Sequence, residues 1–270
     1  MDRQEKLSLL KKYIAEMESV AVAFSSGVDS AFLLKVASDV LGDKAFAITA
    51  TADFFPKRES DESDEFCKKY GIRHIFISVD ALSVPGVADN PPDRCYLCKK
   101  NLFTTMLDIA HQNGAKELIE GSNVDDEGDY RPGLRAIAEL SIKSPLRMAG
   151  LTKEDIRQLS KEMDLPTWDK PSYACLASRV PYGERLTCEK LSMIEEAEAL
   201  LIGLGFKKER CRVHGNVARI EIPEEDFDSF MEPPVRGKVY DEFMKIGFKY
   251  VSLDLKGFRS GSMNEVLPKT

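Results

Sequence analysis

The sequence predicts a doubly wound parallel α/β domain followed by a small α+β domain, and three observations carry that prediction. Four short apolar runs in the first two thirds, SVAVAFS (19–25), AFAITA (45–50), HIFISVD (74–80) and ELIEGSN (117–123), read as strands, because strands buried on both faces are continuously apolar. Stretches of helical period near 30–41, 57–70, 99–113 and 152–164 fall between and after them, and helical crossovers imply a parallel sheet. Beyond Pro181 the order becomes an amphipathic helix (186–206), the alternating strand ARIEIP (218–223), a helix (241–248) and the strand YVSLDL (250–255). The predicted domains are 1–183 and 184–270, with the change of character inside KPSYACLASRVPYGERLT (170–187). A loop of that length without its own secondary structure is expected to be functional or disordered.

With 270 residues and 43% hydrophobic content, the chain can bury a sizeable core without disulfide staples. A formal net charge of −7 argues against a general polyanion binder, so no nucleic-acid partner is expected. The N-terminal stretch MDRQEKLSLLKKYIAEMESV is charged and helical in period, unlike a signal peptide, and no apolar run approaches the ~18 residues of a membrane span. A cytoplasmic protein with reduced thiols and no membrane partner is the expectation.

The first strand runs into SSGVDS (25–30), which opens the first helix. Ser25 and Ser26 supply hydroxyls, Gly27 permits close backbone approach, Asp29 lies at the same carboxyl edge of the sheet, and the first-turn amides from Ser30 onward present unpaired donors at the positive end of the helix dipole. Such a loop suits a pyrophosphate-type anion. No Lys follows the glycine, so it is not a Walker A loop. An ordinary N-capped turn is the structural alternative.

On this motif the sequence resembles the PP-loop ATP pyrophosphatases, whose motif is SGGxDS. The resemblance implies an adenine-nucleotide hydrolase-like fold, ATP on residues 25–30, cleavage between the α and β phosphates with Mg2+, and an adenylylated product. Ser26 stands where that motif has its middle glycine. Five further stretches, DRCYLCKK (93–100), GSNVDDEGDYRPG (121–133), CLASRVPYG (175–183), ARIEIP (218–223) and LDLKGFRSGSMNE (253–265), resemble the LarE group of sulfur transferases. That group converts the carboxylates of pyridinium-3,5-biscarboxylic acid mononucleotide to thiocarboxylates on the way to a nickel-pincer cofactor. The resemblance implies a small mononucleotide substrate and a homo-oligomer, trimeric or hexameric.

Asp125, Asp126 and Asp129 follow the fourth strand, where clustered carboxylates suit magnesium, with a solvated, capping loop as the equal alternative. Arg210, Arg212, His214 and Arg219 lie close together in the second domain. The resemblance implies that Arg210 and Arg212 hold the substrate's phosphate and carboxylates, and places Glu198 and Glu221 near substrate or a metal. As a plain strand face, alternation with Cys211 and Val213 would instead put both arginines in water. His74 and His111 are expected to be structural, and Trp168 a packing residue.

Of six cysteines, Cys67, Cys188 and Cys211 read as small apolar residues. Cys95 and Cys98, in a predicted loop before a helix, leave open a zinc knuckle, a redox pair, half of a cluster site or plain burial. Structural zinc wants four ligands, and no second close pair is visible. With Cys175 they make a three-thiolate set that suits a 4Fe-4S cluster with one iron free for sulfide. The resemblance implies two kinds of member, one carrying such a cluster and one sacrificing its own cysteine; this sequence resembles the first, three-cysteine kind, and the sacrificial position of the other falls at Ala174, one residue before Cys175. In the cluster kind Ser178 and Arg179 lie near the reacting centre. A tRNA thiolase, an amidotransferase and a nucleotide-sensing module are the competing classes.

Overall fold

The computed structural model describes residues 1–128, 132–171, 174–259 and 261–266. It falls into two compact units: Met1–Pro85 with Asp93–Tyr173, and Gly86–Pro92 with Ala174–Thr270. Asp129, one of the carboxylates singled out above, lies outside the described residues.

In the first unit the chain runs α1 (Arg3–Glu16), β1 (Val20–Ala23), α2 (Val28–Leu41), β2 (Ala45–Thr51), α3 (Lys57–Tyr70), β3 (His74–Ser78), α4 (Arg94–Gln112), β4 (Glu117–Ile119), α5 (Gly133–Glu139), α6 (Pro145–Met148) and α7 (Lys153–Glu162). The four strands pair in the order β3-β2-β1-β4, all parallel. Both faces of β1, β2 and β4 are covered, as their unbroken apolar runs require, whereas the edge strand β3 leaves Phe76 exposed although its run is equally apolar. Val20, Val22, Ala45, Ala47 and Ile119 join one core with α1, α2, α3 and α7, while Ala21, Phe46, Ile48 and Leu118 join the other with α4 and α5. The period of two thus sorts neighbouring residues to opposite faces.

β1 is flanked by β2 on one side and β4 on the other, so the direction of winding reverses there. The crevice at such a reversal, outside the carboxyl ends of the strands, is where open α/β sheets bind ligands. Residues 25–30 leave β1 at that point.

The second unit contains α8 (Cys188–Gly203), β5 (Arg210–His214), β6 (Val217–Glu221), α9 (Phe227–Met231), α10 (Pro233–Ile246) and β7 (Tyr250–Leu253). Its sheet has the order β5-β6-β7, the first pair antiparallel and the second parallel. A strap, Gly86–Pro92, belongs to this unit although it precedes α4 in sequence. Asn90 Nδ2 donates to the carbonyls of Val180 and Pro181 at 3.0 and 2.7 Å, and the Gly183 and Leu186 amides donate to the carbonyls of Asn90 and Ala88 at 2.9 and 2.8 Å. No pattern of period or turn residues announces this strap, because its bonds are to residues some ninety positions away.

Candidate active site

The phosphate loop takes its shape from three hydroxyls and one strained residue. Gly27 is the N-cap of α2 and makes no side-chain cap, so the first-turn amides are left for a ligand. Ser30 Oγ donates to the Gly27 carbonyl at 3.3 Å and lies 3.2 Å from Ser25 Oγ, closing the loop on itself. Ser26 has φ +53°, the left-handed region that the family's glycine would occupy without cost. Serine therefore keeps the tight turn, but its side chain is buried and its hydroxyl donates to the Glu59 carbonyl at 3.3 Å. The hydroxyl expected to face phosphate is committed elsewhere. Gly27 itself has an ordinary negative φ of −73°, and a Cβ there would meet only Ser25 Oγ at 3.5 Å. Neither packing nor conformation demands glycine at this position. Gly121, at the end of β4, is different, since a Cβ would come within 3.1 Å of the Ser30 amide nitrogen.

Asp29 accepts from Lys153 Nζ at 2.5 Å and from Asn123 Nδ2 at 3.3 Å. Neither partner is marked out by the sequence as one. Asn123 lies within a motif quoted above, whereas a lysine opening α7 carries no sequence signal at all. Asp125 accepts from the Lys153 amide at 2.8 Å and Asp126 from the Asn123 amide at 2.9 Å. Both carboxylates thus serve backbone caps, and Asp29 is the carboxylate held against the phosphate loop.

In α4 the two thiols sit on the helix rather than before it. Helix α4 begins at Arg94, five residues earlier than the periodicity suggests, so Cys95 and Cys98 lie one turn apart on the same side. The buried Arg94 directs Nη2 to Cys95 Sγ at 3.6 Å. Among the described residues, no group of three or more His, Cys, Asp or Glu gathers in a way that could hold a metal ion.

The second unit holds a buried ionic cluster. Arg179, 1% exposed, makes a bidentate pair with Glu198, both contacts at 2.8 Å. Its remaining nitrogen donates to the carbonyls of Ala174 and Cys175, at 2.5 and 3.1 Å, and to Ser178 Oγ at 3.0 Å. Cys175 is the residue before the short 3-10 turn Leu176–Arg179, and Arg179 fixes the backbone that carries it. Arg212 pairs with Glu221 at 2.6 and 2.9 Å, and donates to the Ser178 carbonyl at 2.8 Å and Ser262 Oγ at 2.6 Å. Two guanidinium groups therefore converge on Ser178, one through its hydroxyl and one through its carbonyl.

The reading of Arg210 and Arg212 as a solvated strand face is overturned: both are 7% exposed, and the alternating Cys211 and Val213 are buried as well. β5 is an edge strand covered on both faces, so alternation does not separate water from core. Arg210 lies over the Phe258 ring at 5.2 Å, and burial next to Arg179 pushes its pKa down to about 10. Crowded, desolvated guanidinium groups favour an anion. Glu198 and Glu221 are explained by this cluster as the clamps of Arg179 and Arg212.

His74 is structural as expected, with Nε2 2.8 Å from Thr49 Oγ1 and its ring 4.2 Å from that of Phe76. Trp168 carries Lys161 Nζ over its ring at 4.7 Å, and its carbonyl accepts from Arg157. Burial pushes the Cys67 thiol up to about 12 and raises that of Cys211 well above its usual value, whereas Cys188 is exposed. Brief alkylation of the reduced native protein at pH 8 should modify Cys188 and spare Cys67 and Cys211 until denaturant is added. Peptide mass mapping reads this out, and early labelling of Cys67 would contradict the burial.

No protein-family model matches the chain. It is 38% identical over 265 residues, 98% of this chain and 95% of the relative, to the pyridinium-3,5-bisthiocarboxylic acid mononucleotide synthase of Lactiplantibacillus plantarum. An uncharacterised protein of Synechocystis sp. is 40% identical over 266 residues, 98% of this chain and 99% of the relative. More distantly, a component of the glutamine-hydrolysing GMP synthase of Pyrococcus furiosus is 24% identical over 213 residues, 73% of this chain and 67% of the relative. With a full-length match at this identity and a phosphate loop at the winding reversal of a parallel sheet, the chain belongs to the LarE family within the PP-loop ATP pyrophosphatases.

Proposed function

We propose that the protein is an ATP-dependent sulfur transferase that adenylylates the carboxylates of pyridinium-3,5-biscarboxylic acid mononucleotide and converts them to thiocarboxylates. The observation that carries the first half-reaction is the loop 25–30: an α2 N-terminus with no side-chain cap, a glycine at its start that leaves the backbone open to approach, and the Asp29 carboxylate in the same turn. In this reading the amides of that loop bind the pyrophosphate portion of ATP, and Asp29, with Asp125 and Asp129 as further carboxylates, holds the accompanying Mg2+. A substrate carboxylate oxygen attacks the α-phosphorus, the bond to the bridging oxygen breaks, and pyrophosphate leaves. The acyl adenylate then has a leaving group that a free carboxylate lacks. Sulfide adds to the acyl carbon, and AMP departs with the anhydride oxygen. Positioning and charge neutralisation supply most of the barrier reduction.

The buried arginines supply the other half. Arg210 and Arg212 are read as the positive charges that attract the mononucleotide phosphate and carboxylate, with the Arg212 fork itself taken by Glu221. Ser178 and Arg179 are read as the groups next to the reacting carboxyl, since Arg179 fixes the carbonyls of Ala174 and Cys175.

For the sulfur source, the reading is a 4Fe-4S cluster on Cys95, Cys98 and Cys175; the CxxC spacing supports it, while the described residues gather no group of three such ligands. Such a cluster, when bound, would offer one open iron for sulfide. Sacrifice of Cys175 itself is the second reading, favoured by the way Arg179 presents that residue's backbone. A cytoplasmic location and a homo-oligomer, trimer or hexamer, complete the proposal. Anaerobic purification followed by iron and acid-labile sulfide analysis tests the sulfur source, with iron and sulfide expected together. A colourless protein that converts Cys175 to dehydroalanine during turnover would replace the cluster reading by the second one. Failure to release pyrophosphate with ATP, Mg2+ and the mononucleotide would remove the enzyme reading altogether.

A further inference from the structure

The phosphate loop contains no lysine, yet one reaches it from 144 residues away. Lys170 Nζ donates to the Ser26 carbonyl at 3.0 Å and to Ser26 Oγ at 3.1 Å, and forms an ion pair with Glu62 of α3. The side chain is mostly covered, 14% exposed. Its backbone is fixed in turn by α7, because Arg157 donates to the Trp168 carbonyl at 2.7 Å and to the Lys170 carbonyl at 2.9 Å. The Lys170 amide also closes a turn on the Thr167 carbonyl at 3.1 Å. These contacts act on the one loop residue whose φ, +53°, suits glycine rather than serine.

We propose that Lys170 is a positioning residue of the phosphate loop, which holds Ser26 in the left-handed conformation and so keeps the amides that follow it aimed at the nucleotide's pyrophosphate. The physical reason is a conflict that Ser26 creates. A serine in this region sits above its own minimum, and a loop released from its partners relaxes toward extended backbone, turning the Gly27 and Val28 amides away from a common point. Lys170 opposes this by taking the carbonyl and the hydroxyl of the same residue. The Glu59 carbonyl accepts the hydroxyl proton at 3.3 Å, and Glu62 holds the ammonium. The lysine acts on the protein, not as a direct cation on phosphate. It is the compensation that lets this chain do without the glycine.

This inference rests on the nucleotide reading of residues 25–30, and the test separates the two. Binding of ATP with Mg2+ is measured by titration calorimetry for the wild-type chain, Lys170→Met, Lys170→Arg, Ser26→Gly and the double variant Lys170→Met with Ser26→Gly. Thermal melts confirm that each variant is folded. Lys170→Met should weaken ATP binding about tenfold in the serine background, and no more than about threefold when residue 26 is glycine, because glycine occupies the left-handed region without strain for the lysine to offset. Lys170→Arg should retain most of the affinity. An equal loss in both backgrounds would mean that Lys170 acts as a charge on the phosphates, and no loss in either would mean that it does nothing for the loop; both overturn the proposal. A wild-type protein that binds no ATP would instead bring down the nucleotide reading itself.

Discussion

Replacing Arg179 by Met should lower stability by about 3–5 kcal/mol, the usual cost of stranding one member of a buried ion pair. Arg179 is 1% exposed and Glu198 4% exposed, so neither charge can turn to water when its partner is lost. The Cys211 amide, 3.0 Å from Glu198 Oε1, would remain as a compensating donor. The carbonyls of Ala174 and Cys175 would lose their shared guanidinium at the same time. Denaturant unfolding followed by far-UV circular dichroism measures the loss. A companion variant, Arg179→Met with Glu198→Leu, should recover most of it, because removing both charges avoids the stranded carboxylate. A loss below about 1 kcal/mol for the single variant would show that the pair is solvated in solution.

Neutralising Asp29 as Asp29→Asn should reduce pyrophosphate release about 10²- to 10³-fold, the range seen when one preorganised electrostatic partner of a reacting phosphate or oxyanion is removed. The change is nearly isosteric, so the loop and its contact with Asn123 Nδ2, 3.3 Å from Asp29 Oδ1 in the wild type, should stay close to their present geometry. Half-saturation by Mg2+ should move to higher concentration, while the melting temperature changes little. Lys153, now 2.5 Å from Asp29 Oδ2, would be released and leave a net positive loop. Metal-free ATP should then bind at least as well as before. Undiminished pyrophosphate release by this variant would exclude Asp29 from the chemistry.

The two variants differ in how far sequence anticipates them. Asp29 is legible because its warrant is local: a strand, a glycine and a helix start within a few residues place a carboxylate and free amides at one point. Arg179 is legible only by resemblance, as one letter of a motif. Its burial is not, because its partner lies nineteen residues on, in α8. The solvated-face alternative for β5 fails for the same cause. Alternation of Arg210 and Arg212 with Cys211 and Val213 would sort charge to water only if one face of that strand were bare. α4 shows a milder version: Cys95 and Cys98 read as loop residues since RCYLCKK has no capping signal, and Asp93 indeed makes no side-chain cap at its start.

What the sequence determined by itself is what depends on neighbours a few positions apart: the alternation of strand and helix, and the glycine-containing loop that joins β1 to the start of α2. Periods of 2 and 3.6 and the needs of a helix end are written within a single window of residues. The tertiary structure alone decided which charges are buried. Arg212 finds Ser262, Asn90 finds Val180, and Lys170 finds Ser26 across 50, 90 and 144 residues respectively. A buried charge or strained turn is stable only with partners that chain folding brings to it, and no local window contains them.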